Sequence, residues 1–313
     1  MGRLQRKHGY TIDNLLSVDL VTADGVVRHV SDQEEPELFW GLRGAGANFG
    51  IATAFEFRLH PIGPNVTTAV VVFPIERARD AAALYRDLSR SAPEHMHLGL
   101  NFATAPSGRA GTSEQNGNAT VAVGATHFGD QKDAERDLRM LRGQIEPLVE
   151  TFTPTTYLAL QKMADEEMAW GKRFYMKGAF LDELADAAVD RAAEQVTLAP
   201  GECSIGLWAQ GGATARLAED ATAFTGRGAA YWLGAEAFWV DKERDQDYVA
   251  WGRAAMAALK PFTRTGQYVN DVVEQGDDVV RGIYGDRKYE RLRALKRAHD
   301  PDNVFRMNQN IRP

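Results

Sequence analysis

A chain of 313 residues exceeds one ordinary domain and points to two, and 44% apolar with 25% charged residues is the make-up of a globular protein that faces water. A net charge of −7 argues against a nucleic acid or an anionic membrane as partner, and no apolar run approaches the roughly 18 residues that a membrane span needs. The opening MGRLQRKHGYTIDNLL has no apolar core of a signal peptide, so a cytoplasmic location is expected. Cys203, the single cysteine, reads as a small buried hydrophobe rather than a nucleophile.

Residues 15–30 predict a β-hairpin around Ala23-Asp24-Gly25. Ser31, with Glu34 three residues on, has the spacing of a capping box for a short helix over EEPELFWGLR, residues 34–43. After a glycine-rich loop, IATAFEFRLH (51–60) alternates as a strand does, and His60-Pro61-Ile62-Gly63-Pro64 breaks the pattern, which places a first boundary there. Beyond it come strand 67–73, helix 76–91, strand 97–104, a turn-rich loop over 106–118, strand 119–128 and helix 130–143. An alanine-rich helix over 178–198 precedes a strand at 204–210. A second strand, at 229–240, is expected to be interrupted by Gly234, and a long helix is stopped by Pro261. The last residues give a strand-like piece at 265–273, a basic helix at 287–301 and an extended tail. This order predicts an α+β fold with helices on one face of a layered sheet.

The loop 41-GLRGAGANFGIATAF-55 is one residue away from a dinucleotide fingerprint, but its elements come in the reverse order: helix, loop, strand. The helix would turn its C-terminus, and so its partial negative charge, toward a phosphate, which excludes the Rossmann mechanism. Two readings stay open for Gly44, Gly46 and Gly50: a glycine cap leading into a strand, or backbone passing close to something flat or bulky.

Three stretches carry a family resemblance: residues 2–25, residues 37–64, and the end from Tyr284 to Pro313. The end holds Lys296, Asp300-Pro301-x-Asn303-x-Phe305 and Asn308-Gln309-x-Ile311-x-Pro313. Together they resemble the berberine-bridge-enzyme-like flavin oxidases of the vanillyl-alcohol oxidase superfamily, with its PCMH-type FAD-binding domain. The resemblance implies FAD as cofactor, a partial FAD-binding domain over 1–64 and 266–313, and a substrate domain over 65–265. That middle domain would be a mostly antiparallel sheet with helices, roofing the flavin. It also implies oxidation of an alcohol, a sugar or a natural-product intermediate, with electrons passed to molecular oxygen as hydrogen peroxide.

By position in the family's motifs, Gly2, Leu4 and Gly9 would lie along the flavin and pyrophosphate, and Gly50, Ile51 and Thr53 would offer backbone to the adenine end. Tyr268 and Asn270 would approach the flavin ring. By residue type alone Leu4 and Ile51 are core positions. Two departures stand out. The family's N-terminal region, with its flavin-linking histidine, is not in this sequence, so a non-catalytic relic or flavin-free binding module is the alternative. Asp271 stands where many members have a tyrosine base. A carboxylate, with a reference pKa of about 3.9 against about 10 for a phenol, is ionised but a far weaker base. Tyr268 and Asp271 are therefore both candidate catalytic residues, and Asp271 reads equally as a solvated residue at a strand end.

Other groups carry less. His95 and His97 have strand spacing for a shared face but no carboxylate in sequence completes a metal site, so a partly exposed pair and no metal are expected. Asn65 and Asn118 sit in glycosylation sequons, and Arg3, Arg6, Lys7 and His8 form either a pyrophosphate counter-charge or a solvated basic face. Trp208, Tyr231, Trp232 and Trp239 lie on middle-segment strands, some as core and some as a lining for substrate.

Overall fold

The computed structural model describes residues 1–104, 118–143, 146–165, 168–307 and 309–313; most of the loop at 106–118, and Asn308 of the terminal motif, lie outside them. Along the chain run α1 (Gln5–His8), β1 (Leu15–Val21), β2 (Val27–Ser31), α2 (Pro36–Ala45), β3 (Ile51–Phe57), β4 (Asn65–Pro74), α3 (Ala78–Ser91), β5 (Met96–Ala103) and β6 (Thr120–His127). Then follow α4 (Gln131–Asp137), β7 (Val149–Thr156), α5 (Tyr157–Lys162), β8 (Arg173–Leu181), α6 (Asp186–Thr197), β9 (Cys203–Ala209), β10 (Tyr231–Trp239), α7 (Asp245–Leu259) and α8 (Asp277–His299). The fold is α+β, in two units: Met1–His60 with Gly211–Ala229 and Arg264–Pro313, and Pro61–Gln210 with Ala230–Thr263.

The first unit is built from three separated pieces of chain. Its sheet is β2-β1-β3, all antiparallel, with β3 on one edge. Val18, Leu20 and Val30 pack with Leu38, Phe39 and Phe49 and with Leu292 and Leu295 of α8. Residues 211–229, which the sequence division leaves in the middle segment, belong to this unit, and polar side chains account for it. The buried Arg227 guanidinium donates to both carboxylate oxygens of Asp13, at 3.0 and 2.6 Å, and Lys288 donates to the carbonyls of Glu219 and Phe224, each at 2.5 Å. A segment with only two short 3₁₀ turns has few internal hydrogen bonds, so its polar groups find partners outside it.

The second unit is a seven-stranded antiparallel sheet in the order β7-β4-β6-β5-β9-β10-β8. Strand alternation sends Leu98, Leu100, Val123, Ile205, Leu207, Leu233 and Ala235 to one face, where α3, α6 and α7 cover them. Tyr231 and Trp239 are in that core, and so is Cys203, whose thiol burial pushes up to about 12, making it inert. The opposite face carries three rows fixed by register: Gly99, Trp208, Trp232 and Phe180; then Asn101, Gly206, Gly234 and Gly178; then Ala103, Ser204, Glu236 and Met176.

Several expectations need correcting. Ser31 does not cap α2: its hydroxyl accepts from the amides of Gln33 and Glu34 in a turn closing β2, while the helix starts at Pro36 behind a left-handed Glu35. Gly234 does not interrupt β10; it pairs with Gly206 and Gly178 and leaves room for the Trp232 ring, which a Cβ there would meet at 2.4 Å. Residues 178–181 are strand, because Ala179, Phe180 and Leu181 pair with β10, and the helix begins at Asp186. The piece at 265–273 is no strand but a 3₁₀ turn over Val269–Asp271, and α8 begins ten residues earlier than 287, with a break at Gly285.

Candidate functional site

In the first unit a cavity of about 230 Å³ is lined by the backbone of Gly44–Asn48, by Ile12, Leu42, Phe224 and Tyr284, and by Tyr268, Val269, Asn270 and Gln309. Two parts of the sequence more than two hundred residues apart meet there. The terminal motif explains how. Lys296, fully buried, donates to Asp300 at 2.5 Å, to the carbonyl of Asn48 at 2.9 Å and to that of Phe305 at 2.6 Å. Asp300 accepts in turn from the amides of Val304 and Phe305. Burial works against its charge, but Lys296 and the two amides outweigh burial and hold its carboxyl below the usual range. Asn48 completes the clamp, its Oδ1 accepting from the Ile311 amide at 2.8 Å and its Nδ2 donating to the carbonyls of Ala45 and Gln309.

The glycines of the loop have structural causes. A Cβ on Gly44, at φ +155°, would lie 2.2 Å from the Phe224 nitrogen, and one on Gly50 would lie 2.5 Å from the Val21 carbonyl. The bulky neighbour that the sequence implies is thus the chain itself. Gly46, by contrast, meets only the end of Leu42 at 3.9 Å and faces the cavity. Gly9 is also structural: at φ +81° its Cβ would meet the Asp13 carboxylate that accepts from the Tyr10 amide and holds Arg227.

Tyr268 and Asn270 come together at this cavity. The Asn270 amide donates to the Tyr268 phenol at 2.8 Å, and both line the cavity. Burial pushes the Tyr268 phenol above its usual range, so at neutral pH it carries its proton. Asp271 is only 4% exposed, against the solvated position expected, and is not among the lining residues. It ends the 3₁₀ turn that begins at Val269. Gly50, Ile51 and Thr53 do not line the cavity either. They open β3, whose outer edge has no strand beside it; Ile51 is 61% exposed and the Thr53 hydroxyl donates to the Asp19 carbonyl at 3.2 Å. Leu4 caps the N-terminus of α1, and a Cβ on Gly2 would meet nothing within 4 Å.

Phe224 and Tyr284 were not singled out from sequence, and Gln309 entered only as part of the terminal motif. Tyr284, whose hydroxyl donates to the Gly44 carbonyl at 3.1 Å, gave no signal because its partner lies 240 residues away. The lining suits one flat ring system with polar edges: aromatic walls, a phenol, two amides and exposed backbone. Among the described residues its lining has no lysine or arginine, so these residues fit the ring end of FAD and not its pyrophosphate. In the second unit, Trp208, half-buried, and Trp232, buried against Gly234, stand 4.9 Å apart on the face away from the helices, with His97 at 5.5 Å from Trp208. His97 is therefore separated in role from His95, which turns to His127 and Asp137; the expected exposed pair does not form.

The first unit thus carries a ring-sized cavity, and the second carries aromatic side chains on the sheet face away from its helices. The family model described as "Berberine and berberine like" matches residues 267–312, which include Tyr268, Asn270, Lys296, Asp300 and Ile311. An FAD-linked oxidoreductase of Dictyostelium discoideum is 27% identical over 317 residues, covering 100% of this chain and 66% of its own length. (R)-6-hydroxynicotine oxidase of Paenarthrobacter nicotinovorans is 29% identical over 339 residues, covering 100% and 68%. The solved berberine bridge enzyme of Eschscholzia californica shares the fold with a TM-score of 0.83 at 21% identity, covering 100% of this chain and 68% of that one. Residues 267–312 thus match the berberine-like model, the chain as a whole is similar to FAD-linked oxidoreductases, and it spans about two thirds of the length of the curated relatives it matches.

Proposed function

We propose that the chain serves an FAD-linked oxidase, its first unit holding the ring end of the flavin and the aromatic sheet face of its second unit receiving a small-molecule substrate. Bound flavin would supply a hydride acceptor whose electrons pass to oxygen as hydrogen peroxide. The residues of this chain would do the rest. Asn270 and the backbone at Gly46 would orient the ring, Tyr268 would hold a proton at its phenol oxygen, and Trp208, backed by the buried Trp232, would stack on a cyclic substrate. Between the two candidate catalytic residues the geometry favours Tyr268, because it lines the cavity and Asp271 does not. Gly2, Leu4 and Gly9 along the pyrophosphate, and Gly50, Ile51 and Thr53 at the adenine end, complete the reading. The outer edge of β3 leaves backbone groups available there. An alcohol, a sugar or a natural-product intermediate is the substrate class.

The observation that carries the reading is the meeting of Tyr268 and Asn270 with the glycine loop around one ring-sized cavity. Titrating the purified chain with FAD tests it, read by quenching of flavin fluorescence. The expected result is weak, reversible uptake, reduced at least tenfold by Asn270→Ala, since the cavity holds no cation for the pyrophosphate. A folded chain that takes up no FAD would overturn the reading in favour of a flavin-free binding module. Peroxide release with a panel of alcohols and sugars then reports on substrate.

A further inference from the structure

At one end of the seven-stranded sheet, apart from the cavity and the aromatic face, lies a third cluster. His127 closes β6, His95 precedes β5 and Asp137 ends α4. Oδ2 of Asp137 faces Nε2 of His127 at 3.1 Å and Nε2 of His95 at 3.3 Å, and its Oδ1 accepts from Arg136 at 2.8 Å. The two imidazoles meet edge to face at 4.5 Å. His127 is fully buried; His95 is half-buried.

Two histidines and a carboxylate whose donor atoms lie within 4.8 Å of one another have the composition of a divalent-metal site. The hydrogen bonds decide against it. The Gly129 amide donates to Nδ1 of His127 at 3.1 Å, so Nδ1 offers its lone pair and the neutral ring keeps its proton on Nε2, aimed at Asp137. A metal ligand needs the reverse: a lone pair on Nε2 and an Nδ1 that donates.

We propose that His127 is a proton-sensitive clip holding the 128–141 segment to the sheet, engaged while the ring is neutral and released when it is protonated. A second proton can enter the ring only at Nδ1, where it meets the Gly129 N–H head on. Gly129 leads directly into Asp130, the cap residue of α4, so the broken bond lies at the root of that helix. The charged groups around the ring come from two sides. From α4 come Asp137, which Arg136 also engages, and Asp133; from the approach to β5 comes His95; β4 places only the uncharged Thr67 opposite. Burial and then His95 push the His127 pKa down, and the hydrogen bond that His127 donates to Asp137 does not make up the difference. Asp137, held at about 2, stays ionised throughout this range.

The direction follows. The released ring titrates near the ordinary value of about 6.5 and the clipped ring below it, so the clip is at full strength above about pH 6.5. It then weakens up to tenfold per pH unit until the lowered value is reached. Hydrogen exchange of the full chain, corrected for intrinsic rates, should show peptides from 128–141 opening up to tenfold more per unit between pH 6.5 and 5, with α7 unchanged. His127→Gln should remove that dependence and His95→Gln should keep it. An imidazole nitrogen correlation spectrum of the unaltered chain reads the tautomer without any variant and should show Nε2 protonated at pH 7.5. A flat exchange profile, an Nδ1-protonated ring, or saturable zinc binding lost in His127→Gln would each overturn the proposal.

Discussion

The two units are held together by different means. The second has a continuous apolar layer, with seven strands on one side and three helices on the other. The first is assembled from three pieces of chain, and buried charge joins them: Arg227 to Asp13 across 214 positions, Lys288 to residues 219 and 224, and Lys296 to Asn48 across 248. Apolar packing is tolerant of detail, whereas a buried cation accepts only a full set of oxygen partners. The comparison says that a site requiring fixed backbone has been built on polar pins.

The largest effect should come from removing one pin. Lys296→Met leaves Asp300 buried without its cation and frees the Asn48 carbonyl, a loss of about 3–5 kcal/mol. Denaturant unfolding should then show the first unit melting well before the second. A cost below about 1 kcal/mol would remove the distinction between the units. In the second unit the matching change is Leu100→Ala at the centre of the sheet, with about 2–5 kcal/mol expected from lost burial and the cavity left behind. That loss should fall on the second unit's transition.

Gly44→Ala should come next, at about 1–3 kcal/mol, because the added Cβ meets backbone at 2.2 Å and the residue sits at positive φ. It separates two causes for a glycine in this loop, since Gly46→Ala meets only a movable leucine end and should cost less than about 1 kcal/mol. Thermal melts of the two variants side by side check the order.

How much the sequence revealed follows the same division. The antiparallel sheet with helices on one face was legible, because strand alternation and helical periodicity are local signals, but which of Trp208, Tyr231, Trp232 and Trp239 join the core became visible only with the strand register. β8 was hidden because Gly178-Ala179-Phe180-Leu181 runs into an alanine-rich helix, and β7 because Pro154 and its threonines suit an edge strand that has only one neighbour. In the first unit, the terminal motif was legible as a pattern but not as a clamp, since nothing local to Lys296 names Asn48 as its acceptor. Residues 211–229 were left in the middle segment for the same reason: what holds them is side chains 214 and 64 positions away. Tyr268 and Asn270 were found through family resemblance, and the burial of Asp271 became visible only when the turn at Val269 was in hand.

The smallest effect on stability should be at Gly2, and it sharpens the comparison most for function. Nothing lies within 4 Å of the position where its Cβ would go, and its φ is not in the left-handed range. Gly2→Ala should therefore leave unfolding unchanged within about 0.5 kcal/mol, unlike Gly44→Ala. If the backbone at Gly2 lies along the flavin, as the family resemblance implies, the added methyl should weaken FAD uptake severalfold in the same titration that tests Asn270. A glycine that packing does not require but cofactor uptake does would mark the cofactor path in this unit. Equal uptake by Gly2→Ala and the unaltered chain would instead place that path elsewhere.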